Sequence, residues 1–242
     1  MCQGRAALLV GPWFGMTELE YQRTVNHLSD EVLGAIEVFY SLEELERLAI
    51  KEPEILKAIN EDAGFWMVHR ACLQTTLFVT LNRVLDQHPG SCSMEDALAA
   101  TLGHLEFFSR KALSARRKEE PDPDWFQAFL NAAWIPTKPA DLRHLKKAFK
   151  PHAARIRATY LPIRHQYYAH RSADHSKFIP ELFKKTNRIE MAQTLDFLHD
   201  LTDALWGLYQ NGEEPRLGVR TYKDHNRYIR EQVSRVLRKI AP

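Results

Sequence analysis

The chain predicts an all-α fold, a single helical bundle of about seven helices. Three observations carry that expectation. Apolar residues recur at three- and four-residue spacing in each long segment, helix start and stop signals flank those segments, and no sustained alternating run of β-branched residues is bounded by turns. With 242 residues, 45% of them hydrophobic and 26% charged, the chain is long enough for one sizeable core. No internal repeat or long linker divides it, so residues 16–242 read as one domain, preceded by a disordered tail or misplaced start over residues 1–15.

The elements follow in order. Met16-Thr17-Glu18 offers an N-cap and an acidic first turn, and Val25, Leu28, Val32, Ile36 and Phe39 then mark an amphipathic helix of roughly six turns. Ser41-Leu42-Glu43-Glu44 reads as a capping box that opens a second helix through Leu42, Leu45 and Leu48. Pro53 begins a short helix at the position where its missing N–H costs nothing. Gly64 to Asp86 is apolar over most of its circumference, which predicts a buried central helix with Cys72 as a small core residue and a stop at His88-Pro89-Gly90. Ser93-Met94-Glu95-Asp96 caps a helix that runs through Leu98, Leu102 and Leu105 into the basic run Arg116-Arg117-Lys118.

Pro121-Asp122-Pro123-Asp124 starts a short aromatic helix with Trp125, Phe126, Phe129 and Trp134. Leu142, Leu145, Phe149, Ile156, Tyr160, Ile163 and Tyr167 keep helical spacing through Pro151 and Pro162, so that segment is one kinked helix or two nearly in line. After a polar break at Arg171 to His175, Leu195, Leu198, Leu201, Leu205 and Leu208 define a strong helix that stops at Asn211-Gly212. A basic helix from about Lys223 to Ile240, within residues 222–242, closes the chain.

Several function classes fall away. Arg70 and Asn82-Arg83 interrupt the longest apolar run, which leaves no stretch of the roughly 18 to 20 residues that spans a bilayer. Ala6 to Val10 behind Arg5 is too short for a secretory signal, so the expectation is a cytoplasmic protein without a membrane partner. Cys2, Cys72 and Cys92 are odd in number and form no C-x-x-C pair, and the eleven histidines lack zinc-module spacing. Neither a disulfide framework nor a metal or other cofactor is expected. There is no glycine-rich phosphate loop, no G-x-S-x-G and no H-E-x-x-H. Asp196, Asp200 and Asp203 lie at helical spacing with His199, and that pattern reads as a solvated acidic face rather than a metal site.

Charge is unevenly laid out behind a net value of +2. Residues 1–90 are net −6, whereas residues 138–171 hold nine basic residues against one acidic and are net +8. Residues 222–242 are net +4. Clustered Lys and Arg release counterions from a phosphate backbone, so the +8 stretch points to an anionic partner, although a solvated helix face has the same composition. Lys147, Lys150, Arg155, Arg157 and Arg171 are its candidates for non-specific phosphate contacts.

That stretch ends in Leu161-Pro-Ile-Arg-His-Gln-Tyr-Tyr-Ala-His-Arg-Ser172, in which five residues separate Arg164 from His170. The string resembles the signature of the HEPN superfamily, an Arg usually followed by Asn, Asp or His and then, after a short spacer, a His. The wording IRHQYYAHR is most similar to the abortive-infection branch, and the layout from Thr17 to Gln210, with Asn82-Arg-Val-Leu-Asp86 ending the long apolar helix, is compatible with it. The resemblance implies a HEPN-like bundle and a metal-independent endoribonuclease used in phage defence or as a toxin. His170, with an ordinary pKa near 6.5, supplies the mobile proton, and Arg164 supplies a permanent clamp for the phosphate.

On an ideal helix Arg164 and His170 stand about 120° apart, a poor site in one copy. HEPN nucleases pair two motifs across a dimer, so the resemblance implies a homodimer with a composite centre acting on RNA. It also raises a cognate antitoxin as a partner. His165 matches the family's polar position and is a candidate to orient Arg164 or its phosphate, with a solvated helix-surface residue as the equal alternative; Tyr168 is a candidate for base stacking, whereas Tyr167 falls on the core stripe. A superfamily variant carries a modified Tyr two residues after the His, where this chain has Ser172, so that regulation is not carried over. The alternative reading is a non-catalytic helical RNA-binding or scaffold protein that keeps the fold.

Overall fold

The computed structural model describes residues 15–86, 88, 91–118, 122–164 and 184–241. Among these residues there are nine helices and no strand, against the expected seven or so. They are α1 (Glu18–Lys51), α2 (Pro53–Glu61), α3 (Ala63–Val84), α4 (Met94–Gly103), α5 (Arg110–Arg116), α6 (Pro123–Ala132), α7, α8 (Arg188–Asn211) and α9 (Lys223–Ile240). Helix α7 is an unbroken helical run made of Arg143–Arg155, a π-helical stretch Ile156–Tyr160 and a last α turn Leu161–Ile163. The 1–14 segment, Pro89-Gly90, Pro121 and the Arg171–His175 break lie outside the described residues.

Helix α1 starts as expected at Thr17, where a full capping box forms: the Glu20 N–H donates to Thr17 Oγ1 at 3.2 Å and the Thr17 N–H to Glu20 Oε2 at 2.7 Å. It does not break at Ser41. The Glu44 carboxylate that would have closed a second box instead accepts from Arg47 Nε at 2.6 Å and from Ser234, and it is only 2% exposed. The buried stripe of Val32, Ile36, Phe39 and Tyr40 therefore continues to Leu45 and Leu48 in one 34-residue helix.

This stripe is the floor of the core. Leu77, Phe78, Leu81 and Val84 of α3, Leu145, Phe149, Ile156, Tyr160 and Ile163 of α7, and Leu195 to Leu208 of α8 close over it. A smaller cluster joins Leu45 and Leu48 to Ile55 of α2 and Leu237 of α9. Helix α3 is buried only in its second half. Over residues 63–72 Trp66 packs on the smaller cluster and Arg70 pairs with Glu46, but Phe65, Met67 and Val68 are exposed and Cys72 is an exposed thiol rather than a core residue. The apolar circumference that predicted burial there lacks a covering element among the described residues.

The helix expected to run from Ser93 into Arg116 is in three pieces. Helix α4 has its predicted box, with Ser93 and Asp96 exchanging bonds at 3.2 and 3.3 Å, but ends at Gly103. A tight turn over Leu105–Phe108 then tucks Phe107 and Phe108 into the core, and Ser109 caps α5 by accepting from the Ala112 N–H at 3.2 Å. Arg116 of the basic run is a fastener: it pairs with Glu18, donates to the carbonyls of Phe107 and Tyr209 at 3.0 and 2.6 Å, and lies 4.0 Å over the Tyr209 ring. Helix α6 begins at Pro123 over an Asp122 cap and ends at Ala132, so Trp134 lies beyond it, its N–H bonded to the Gly212 carbonyl at 2.7 Å.

The acidic residues of α8 are not a solvated face. The chain after Gly212 folds back over them. Tyr222 stacks on His199 at 3.8 Å and donates to Asp203 at 2.9 Å, the Gly218 N–H donates to Asp200, and Asn226 of α9 donates to Asp196 at 3.2 Å and to the Tyr40 hydroxyl at 2.9 Å. His199 and Asp200 are buried as a result. The cluster holds no group arranged as a metal site among the described residues. It is the polar seam that seats α9.

Two predictions follow from this packing. Gly212 ends α8 with φ +60°, and an added Cβ would lie 2.8 Å from Ala133 Cβ and 2.9 Å from Leu113 Cδ1. Gly212→Ala is expected to lower unfolding stability by about 2 kcal/mol or more in urea titration; an unchanged midpoint would refute the packing of α8 on α5 and α6. Burial holds His199 below the ordinary histidine range, with Asp203 partly offsetting it, and burial aided by Arg155 does the same for His152, whose ring stacks on Phe197 at 3.9 Å. The native state then binds fewer protons than the unfolded chain below about pH 6.5, so stability is full above that value and is lost as pH falls through the lowered pKa values. The melting temperature should drop over that window, and His152→Phe, which keeps the stack, should make the drop shallower.

Candidate nucleic-acid interface

Helix α7 carries two prolines, Pro151 and Pro162, and its backbone stays helical through both. Pro162 has no N–H to give, and its ring would clash with the carbonyl four residues back in a regular α-helix. The ladder widens just before it, with the Leu161 N–H reaching back five residues to the Ile156 carbonyl. The widened stretch keeps Ile156, Tyr160 and Ile163 buried while Arg157, Leu161 and Arg164 look outward.

Those three face the end of α3 across a groove of about 520 Å³, whose other walls are Val79, Asn82, Arg83, Leu85, Asp86 and His88. Each wall is held locally. Asn82 Nδ2 donates to the Phe78 carbonyl at 2.6 Å, Arg83 donates to Glu31 at 3.2 Å, and Arg157 pairs with Glu95 of α4 at 3.0 Å. The turn after α3 is tied by the His88 N–H to Asp86 Oδ1 at 3.1 Å and by Ser91, whose hydroxyl bonds the Asp86 and His88 carbonyls at 2.8 Å each. Among the described residues, three guanidinium groups and an imidazole thus line one opening with a single carboxylate, Asp86. Such a set favours a polyanion, since the planar guanidinium matches phosphate oxygens two at a time.

Of the residues singled out in the sequence, Arg164 and Arg157 come together in this groove. Lys150 lies next to it, in a cleft of about 110 Å³ between α4 and α7 that Arg157 also lines. Lys147 is exposed and lines neither opening. Arg155 turns the other way, pairing with Glu190 of α8 at 3.5 Å and donating to Thr194 at 3.4 Å, so it fastens α7 to α8. His165, Tyr167, Tyr168, His170, Arg171 and Ser172 lie outside the described residues.

The sequence reading missed Arg83, Asp86 and His88 as groove residues, and Lys146 as a neighbour of Lys150. Asn82-Arg-Val-Leu-Asp86 was visible as the end of an apolar helix, but nothing in its spacing tied it to a motif some eighty residues later. Lys146 carried a clearer signal, four residues before Lys150 and hence on the same helix face.

The groove and its Arg164 end sit in a chain that one protein-family model, HEPN AbiU2, matches over residues 18–235, nearly its whole length. No match was found among curated proteins or among solved structures. Among the described residues no helix is long and apolar enough to cross a membrane. With a match from the first helix to the last and an all-helical architecture, the chain belongs to the AbiU2 family of HEPN proteins, an abortive-infection type of that superfamily.

Proposed function

We propose that this chain is a metal-independent endoribonuclease of phage defence, acting as a homodimer in which two copies of the Arg164–His170 motif form one centre. The observation that carries the reading is the position of Arg164 at the end of a groove lined by Arg83, Arg157 and His88, in a HEPN AbiU2 chain. Arg164 grips the scissile phosphate and stabilises the charge that develops on it. His170 takes the proton from the RNA 2′-OH, the 2′-oxygen attacks phosphorus, and the 5′-oxygen leaves with a proton supplied by the second copy's motif. One strand then ends in a 2′,3′-cyclic phosphate and the other begins with a 5′-OH.

His165 orients Arg164, Tyr168 stacks on a base beside the cleaved bond, and Arg171 adds a phosphate contact. The exposed apolar half of α3, with Phe65, Met67 and Val68, is a surface of the kind a second copy covers. A cognate antitoxin would act by keeping RNA from this centre.

The test is cleavage of total tRNA and of a structured mRNA in EDTA, by wild type, Arg164→Ala and His170→Ala at equal dimer content. Each substitution is expected to lower the rate by about 10²- to 10⁴-fold, with cyclic-phosphate ends in the wild-type products. A requirement for divalent metal, or equal cleavage of DNA, would overturn the mechanism. Salt-sensitive RNA binding without cleavage by any variant would instead make the protein an RNA-binding scaffold.

A further inference from the structure

The groove at Arg164 and the narrower cleft between α4 and α7 are lined by a common residue, Arg157. Lys146 and Lys150 line the far end of that cleft, over an apolar floor of Leu98 and Phe149. Lys146, Lys150 and Arg157 stand at i, i+4 and i+11, within about 40° of one another around the helix. Past the π-helical stretch, Arg164 still opens onto the groove that Arg157 enters. The four cations therefore follow one line about 27 Å long, with axial steps of about 6, 10 and 10 Å.

We infer that this line is the entry track for one RNA strand, which is held by several phosphates along its backbone and delivered to Arg164. The contacts are cationic and sit beside a shallow apolar floor, so they read backbone charge and not base sequence. Glu95 holds Arg157 where the two openings join and keeps its guanidinium on the line. The end point of the track rests on the nuclease reading above; the track itself rests on the shared lining and the spacing. It gives Lys146 a role that composition did not assign, and it leaves Arg155, engaged on α8, outside the contact set.

The experiment is equilibrium binding of a fluorescent, fully 2′-O-methylated single strand, which has no free 2′-OH to cleave, across a series of salt concentrations. The variants are Lys146→Ala, Lys150→Ala, the double variant, Lys150→Arg and, on exposed α2, Lys57→Ala. Each alanine on the track should reduce the slope of log affinity against log salt by about 0.7, and the double variant by about 1.4, with all affinities converging at high salt. Lys150→Arg should keep the wild-type slope, and so should Lys57→Ala. Unchanged slopes in the double variant, or an equal reduction in Lys57→Ala, would overturn the track. Because the probe is not cleaved, these slopes stand apart from the nuclease test: lost cleavage with shifted slopes refutes the chemistry and keeps the track, and intact cleavage with unshifted slopes does the reverse.

Discussion

The bundle depends on α1 remaining one helix. Its buried stripe runs from Tyr21 through Leu48, and α3, α8 and α9 each pack along a part of it. A break at Ser41 would separate the floor under α3 and α8 from the cluster that holds α2 and α9. What prevents the break is the commitment of Glu44. Its nearly inaccessible carboxylate is shared between Arg47, one turn on, and Ser234 of α9, so it is unavailable to cap Ser41. Removing Arg47 or Ser234 would leave a buried charge short of partners, a larger penalty than the bond itself is worth when made.

The second constraint lies in α7. Two prolines in a helix that must keep a buried face would ordinarily kink it. The π-helical stretch absorbs the second, and the buried order Ile156, Tyr160, Ile163 survives. Because the inner face is fixed by packing, the outer face is fixed with it: Arg157 and Arg164 are presented side by side toward α3. The groove is thus a consequence of core registry. A substitution that loosened Tyr160 or Ile163 would move the guanidinium groups without touching them.

Much of this was legible from periodicity, and the exceptions share a cause. Spacing located Thr17, Pro53, Ser93, Gly212 and the two limits of α9, because caps and stop residues act within one turn. It failed at Ser41, at the turn around Phe107 and Phe108, and along the first half of α3, where the outcome is decided by what packs against the segment. Local sequence is nearly silent on that. The acidic row of α8 failed for the same reason, since no periodic pattern reveals that Gly218, Tyr222 and Asn226 fold back onto it. In the groove, Arg164 had been singled out by its string, whereas Arg83 and His88 depend on a contact between helices far apart in the chain.

Net charge by segment also overstates what a partner meets. The +8 of residues 138–171 suggests nine equivalent cations, yet Arg155 is engaged with Glu190, and Arg157 with Glu95. Both acids come from other helices, which carry the compensating negative charge of the chain. Paired cations contribute less to long-range attraction than solvated ones, because the neighbouring carboxylate cancels much of their field beyond a Debye length of about 8 Å. At close range the guanidinium of a half-buried pair still presents unused N–H donors to a phosphate. On the proposed track attraction and grip would therefore fall on different residues: exposed Lys146 and Lys150 would draw the strand in, and Arg157, held by Glu95, would keep it in register for Arg164. That division also sets how each behaves in salt, since screening weakens the lysines first and leaves the partly sheltered arginine contacts to the last.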